Sequence, residues 1–412
     1  MPAPVQPRLR RTISGQLDPQ DPRFILLYDT ARISGQLLRM SREAVGILEL
    51  FDGRGSLREI QQRLMRESGG VLVPVEVLQN IVDTLDEACF LEGPKLEEKY
   101  AAFRAAPIRE PSCIGTYAGD PDELRQQLEQ LFHHPRGAGW PTAPARDGVQ
   151  LGGALIPHID YGRGGTTYTW GFREVIEKSD ADLFVILATS HYSPHRFTLT
   201  RKHFRTPLGL AQTDQRFVDR VAEIVGPSVF ADETAHLPEH SIELHVVFLQ
   251  YCLEKLGRPF KIVPLLVGSF QDCVQERVRP QEKADIYLMV QALRTAAQEA
   301  TAAGARVCYL SSGDLAHIGP KFGDAAPVSE PFLGHSQVQD QTLLHQLEAA
   351  DGHGFFQVLA EENDDRRICG FPPTSLLLSV LEPTRGKLLD YHQYVEPRGY
   401  ESVSFASVAF YR

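Results

Sequence analysis

The stretch Leu151–Pro194 constrains the fold more than any other part of the chain. It holds two short apolar runs, Gly153–Pro157 and Leu183–Ala188, rich in Ile, Leu and Val. Runs of that length and composition predict buried strands. Between them Thr166–Lys178 has helical length, with Trp170, Phe172, Val175 and Ile176 on one apolar face. Strand, Gly-rich loop, helix and strand make a βαβ unit, the building block of a parallel sheet. Each strand runs into a histidine, His158 after the first and His191 after the second. Parallel α/β sheets place ligand sites at the carboxyl ends of their strands. The two imidazoles are therefore expected to face one crevice and to begin a metal site.

The remaining α/β text supports the same class. "FKIVPLLVG" and "ARVCYLSSG" read as further buried strands, and "GKLLDYHQYV" and "SVSFASVAFY" as strands added at the sheet edge. A chain of 412 residues has room for two or three domains. No apolar run approaches the roughly 18 residues that span a bilayer, and the basic N-terminus has no apolar segment behind it. The expectation is a cytoplasmic protein with no membrane partner. A net charge of −11 argues against nucleic acid as a partner. Six cysteines without a CxxC pair suggest reduced thiols.

Residues 1–22 are rich in Pro, Arg and Gln and are expected to be flexible. "FILLYD" and "ISGQLLRM" alternate like a hairpin, and Ser41 is placed to cap a helix that stops at Asp52-Gly53. Ser56 and Glu59 form a capping box, Pro74 starts a third helix, and "CFLEG" reads as a closing strand. Residues 23–93 thus predict a small winged-helix-like α+β domain. Its "LLRMSREAVGILELFDGRGSLREI" arrangement and "LDEACFLEG" resemble the PqqD-like family, which implies a peptide or protein partner and a radical-enzyme partner. A generic winged helix is the alternative. Residues 94–111 read as a charged, Ala- and Pro-bearing linker, and residues 112–412 as the second domain. Asp120-Pro121-Asp122-Glu123 is a strong helix start. His133 and His134, in a Pro/Gly loop, are expected to be ordinary polar residues.

Further chemistry-bearing side chains gather at strand ends and helix starts. "SSGDLAHIG" offers Asp314 and His317; "EHSIELH" offers Glu239, His240, Glu243 and His245; "ICGFPPT" offers Cys369; Asp160 and Tyr161 follow His158. His240 and His245 are five apart, about 140° around a helix, so they cannot form a zincin face. Glu239 and His240 are expected to cap the helix and point toward the pocket, and His245 to be packed. Cys369 precedes a Pro-started helix, whose N-terminus favours thiolate; otherwise it is a small buried hydrophobe. A thiolate beside two imidazoles suits copper, zinc or iron.

In this order, "LIPHIDYG", "ATSHYSP", "EHSIELH", "IVPLLVG", "SSGDLAHIG" and "ICGFPP" resemble the MEMO family, including its AmmeMemoRadiSam system protein B branch. "GDPDELRQQLEQLF" matches that family's opening. The resemblance implies the fold of class III extradiol dioxygenases, a mostly parallel central sheet with flanking helices. It implies one metal ion, iron or copper ahead of zinc, on His158, His191 and Cys369, with Asp314 and His317 lining the pocket. His317 would be the acid/base and Asp314 its orienter. Asp160 stands where the family often has Gly, as an added carboxylate ligand or water-orienting group, and Tyr192 where it has a second His. The implied function is a redox metalloenzyme. A non-catalytic metal-binding or peptide-recruiting scaffold and a metal-assisted hydrolase are the alternatives.

Overall fold

A computed structural model describes residues 6–141 and 150–412. The chain divides into two compact units, Met1–Ala106 and Pro107–Arg412.

The first unit carries a three-stranded antiparallel sheet in the order β1 (Ile13–Leu17), β2 (Phe24–Asp29) and β3 (Leu38–Ser41). The expected hairpin of β2 and β3 is present, but β1 lies within the segment expected to be flexible. It pairs with β2 from Ile13↔Asp29 to Leu17↔Ile25. Just before it, the buried Arg10 guanidinium donates to the Asp29 carboxylate at 2.9 Å, which anchors the chain. The first five residues lie outside the described ones. The Ser56–Glu59 capping box opens the helix Leu57–Glu67 as expected. The helix expected after Ser41 is only a short turn pair, Arg42–Ala44 and Val45–Leu48, and Ser41 makes no side-chain cap. "CFLEG" forms no strand; Leu91 makes one isolated bridge to Leu9. Where a linker was expected, Pro94–Ala105 is a helix with Leu96 and Phe103 buried. Pro at its first position and a run of Ala, Glu and Lys favour helix, and Pro107 holds Ala106 extended and ends it.

The second unit is α/β. Its strands are β4 (Ile108–Arg109), β5 (Leu151–Ile156), β6 (Leu183–Thr189), β7 (Phe197–Leu199), β8 (His203–Thr206), β9 (Gly209–Thr213), β10 (Lys261–Val267), β11 (Val307–Ser312), β12 (His317–Ile318), β13 (Arg385–Val395) and β14 (Ser402–Tyr411). They form one sheet in the order β12-β14-β5-β11-β6-β10-β9-β8-β4, with β13 on β14 and β7 on β10. β5, β11, β6, β10 and β9 run parallel. Successive side chains of β6 alternate between two cores. Leu183, Val185 and Leu187 pack on one face; Phe184, Ile186 and Ala188 pack on the other. Helices cover both faces, which is why the strand reads as an unbroken apolar run.

Two expectations change here. The helix after His158 spans Tyr161–Lys178, because the Asp160 carboxylate accepts the Arg163 N–H and caps it before the glycines. β14 is not an edge strand. All ten residues are buried between β5 on one side and β12 and β13 on the other. Its serines are satisfied internally: Ser404 Oγ accepts from the Ala316 N–H, and Ser407 Oγ donates to the Thr167 carbonyl. β13, half-buried along its length, does lie at the margin.

Arg109 ties the start of this unit to the loop before the helix Glu243–Lys255. It is fully buried, ion-paired with Glu243, and donates to the carbonyls of His236 at 3.0 Å and Glu239 at 2.6 Å. Removing one partner of a buried pair strands the other charge. Arg109→Ala should cost about 3–5 kcal/mol in chemical denaturation; wild-type stability would show that the pair contributes nothing. Each unit has its own hydrophobic cluster. A Pro107–Arg412 fragment should therefore stay soluble and melt cooperatively, and an aggregated fragment would show that its core is incomplete.

Candidate metal centre

The site forms at the carboxyl ends of three neighbouring parallel strands. His158 lies two residues beyond β5, Asp314 two beyond β11 and His191 two beyond β6. Because β11 lies between β5 and β6, Asp314 enters between the two histidines. Its buried carboxylate Oδ1 accepts the N–H groups of His158, at 3.0 Å, and Ile159, at 3.2 Å. Burial raises its pKa to about 6 against those bonds.

Cys369 reaches the same place through a backbone contact that only glycine permits. A Cβ at Gly313 would lie 2.2 Å from the Cα of Gly370, and the Gly370 N–H bonds the Asp314 carbonyl at 2.8 Å. The thiol lies 3.3 Å from His158 Nε2 and accepts the Asp314 N–H at 3.3 Å. The thiolate expected at this helix start is not favoured by the surrounding protein groups. Burial, and then the Asp314 charge, push the Cys369 pKa well above the usual thiol range. A soft metal ion would reverse that preference.

Glu239 and His240 come from the loop preceding the helix Glu243–Lys255. They do not cap it; Ile242 holds the cap position. The Glu239 carboxylate is buried and serves several donors. Its Oε2 accepts the His191 N–H at 2.8 Å, and its Oε1 lies 2.9 Å from His191 Nδ1 and 3.2 Å from His240 Nδ1. Oε1 also accepts the N–H groups of His240 and Ser241. Burial opposes the carboxylate charge, but His191 and His240 hold the Glu239 pKa well below the ordinary range. Burial likewise pulls His191 down, and the Glu239 charge more than restores it, leaving its pKa raised. The His158 ring has the Asp314 carboxylate 3.7 Å from Nε2, yet burial, then His191 and His240, push its pKa well below the usual imidazole value.

His240 was expected only to face the pocket. Its ring stacks on His191 with centroids 4.7 Å apart and lies 5.2 Å from His158, while His158 and His191 are 5.0 Å apart. Two sets of metal-capable side chains have ligand atoms within 4.8 Å of one another: His158, His191 and His240, and His158, Asp314 and Cys369. The expected trio is thus divided between two sets that share His158. The signal for His240 lay in its neighbour: Glu239 is a charge that burial tolerates only when paired.

Other expected residues stand elsewhere. The Asp160 carboxylate is engaged as a helix cap and by Arg163, and so belongs to neither set. Tyr161 is a core residue, its hydroxyl donating to the Leu244 carbonyl at 2.7 Å and its ring against Tyr168 and Phe248. Tyr192 lies beside His191, ring centroids 6.2 Å apart. His317 is not oriented by Asp314, whose carboxylate turns to the His158 loop. Pairing of β12 with β14 carries the His317 ring to the carbonyls of Leu315 and Arg367, which accept from Nδ1 at 3.0 and 3.1 Å. Burial lowers its pKa to about 4, and His191 adds to the shift. His245 is packed as expected, with Nε2 bonded to the Pro157 carbonyl at 2.9 Å. His133 ends the helix Pro121–His133, and the His134 ring accepts the Arg136 N–H; neither belongs to the two sets. Residues 142–149 of their loop lie outside the described ones.

A family model described as Memo-like protein matches residues 109–409. The chain belongs to the Memo-like family. A MEMO1 family protein of Aquifex aeolicus is 26% identical over 387 residues, covering 90% of this chain and 91% of its own length. One from Methanothermobacter thermautotrophicus is 27% identical, covering 69% of this chain and 92% of its own length. One from Methanopyrus kandleri is 27% identical, covering 74% and 99%. The two archaeal members match over nearly their full lengths while leaving about a quarter or more of this chain unmatched. The Memo-like match itself begins at residue 109, beside the boundary at Pro107. No helix among the described residues is long and apolar enough to cross a membrane.

The role of Glu239 has a measurable signature. In metal-free Glu239→Gln the charge that raises His191 is gone while burial remains. Its imidazole pKa, followed by NMR, should fall from above to below the ordinary value of about 6.5. An unchanged titration would remove Glu239 as the cause.

Proposed function

We propose that this protein holds one transition metal ion, iron or copper, anchored on His158 and His191 with Cys369 as a soft donor, and that it is a redox metalloprotein. The observation that supports this reading most is the gathering of imidazole, thiol and carboxylate donors within 4.8 Å around His158. When bound, such an ion would supply one-electron chemistry toward dioxygen or a reduced oxygen species.

The chain's own groups have separate tasks. Asp314 holds the His158 loop through two backbone N–H groups. Glu239 fixes the tautomer of His191 by taking its Nδ1, which leaves Nε2 for the ion. His317, with Nδ1 donated to two carbonyls and a pKa near 4, keeps an unprotonated Nε2 at neutral pH. That nitrogen can accept a hydrogen bond from a substrate, and a bound ion's field would set how readily it takes the proton. The Met1–Ala106 unit is proposed to recruit a peptide or protein partner that a radical enzyme modifies; among the described residues β1 and β3 each pair only with β2 in its sheet, a geometry that accepts an added strand.

Elemental analysis of protein purified without oxygen should find about one iron or copper per chain, lost in His158→Ala with the fold retained. His317→Ala should keep the metal and lose oxygen consumption. Full metal in His158→Ala would overturn the site, and metal loss in His317→Ala would make His317 a ligand. Since His191 holds its proton above the usual pH, protons should compete with the ion; metal affinity should begin to fall above pH 6.5 as acid is added.

A further inference from the structure

We infer that the three imidazoles of His158, His191 and His240 form a self-sufficient site for a divalent ion of the cobalt or zinc class, one that does not require Cys369. This rests on the proposed metal-binding reading and extends it from one donor set to two that share His158.

Four observations carry it. First, the ligand atoms of the three histidines lie within 4.8 Å of one another, and among the described residues Cys369 falls in a second set, with His158 and Asp314. Second, one buried carboxylate serves both outer histidines: Glu239 Oε1 is 2.9 Å from Nδ1 of His191 and 3.2 Å from Nδ1 of His240. With Nδ1 bound to a carboxylate, the nitrogen left to ligate is Nε2, and the carboxylate makes it a better donor. The Glu239 charge also offsets part of the cost of bringing a dication into the crevice. Third, the histidines differ in exposure: His158 is buried, His240 half-buried and His191 exposed. An ion entering from the His191 side would meet imidazoles first and keep a coordination position toward solvent, as three-histidine sites do. Fourth, the Cys369 thiol is drawn toward Asp314, whose N–H it accepts at 3.3 Å, and not toward the two outer histidines. The stack of His240 on His191 supplies packing, yet packing alone does not account for two Nδ1 atoms converging on one carboxylate.

The donor chemistry then sorts ions between the faces. Imidazole nitrogens suit intermediate divalent ions, whereas the thiol of Cys369 suits softer ones such as copper(I). His240 is a ligand for the first group and not for the second.

The test is titration of the metal-free full chain with cobalt(II) under reducing conditions, followed by visible absorption and calorimetry. Wild type should bind one ion. Cys369→Ser should bind cobalt within about 3-fold of wild type, whereas His240→Phe, which keeps a stacked ring but no donor, should lose at least ~100-fold. His240→Ala should behave like His240→Phe, and thermal melting reports that both remain folded. Loss of cobalt binding in Cys369→Ser, or its retention in His240→Phe, would overturn this inference while leaving a metal site on His158. Failure of wild type to bind cobalt, iron or copper would overturn both.

Discussion

The register of three parallel strands decides where everything else can go. Ser312 at the end of β11 pairs with Ile156 of β5 on one side and Ala188 of β6 on the other. The three strands therefore end level, and the loops that follow leave the sheet side by side. A shift of one residue would reverse every side chain between the two cores. The apolar pattern on both faces forbids that slip, so core packing fixes the spacing of His158, Asp314 and His191.

On that platform two buried carboxylates set the electrostatics, Asp314 beside Cys369 and Glu239 beside the outer histidines. Glu239 enters the crevice with no lysine or arginine among its principal partners; it is balanced by imidazoles and backbone N–H groups. Burying a carboxylate is costly unless each oxygen is paired, and here both are. Arg109 acts at one remove, holding the carbonyl of Glu239 rather than its carboxylate. The loop is thus clamped through its backbone, and its side chain remains available to the histidines.

The platform was legible in the sequence because each strand announces itself by an apolar run and each run ends in a functional group. His158, His191 and Asp314 follow from that rule, and Cys369 from its place before a Pro-started helix, with the family resemblance joining them into one site. Side-chain direction was not legible. Asp314 and His317 are three residues apart, yet one turns to the His158 backbone and the other to the Arg367 carbonyl, because β12 pairs across to β14. Tyr161 reads as a pocket residue from its place beside His158, but it opens a helix and is carried into the core. The central place of β14 was hidden by its serines, which look like solvent-facing positions and are hydrogen-bonded inside. Pro94–Ala105 was hidden in the same way, since the composition of a surface helix and that of a linker overlap.

The anchoring of His158 differs in kind from that of the other two histidines. Its loop is pinned at Pro157 by His245, at its own N–H by Asp314, and through Asp314 to the glycine contact with the Cys369 turn. His191 and His240 are held by a single shared carboxylate nearer to solvent. The crevice thus has a floor held from several sides and a rim held through one carboxylate. Loss of Glu239 would reach two of the three rings at once, while the floor beneath keeps its own anchors.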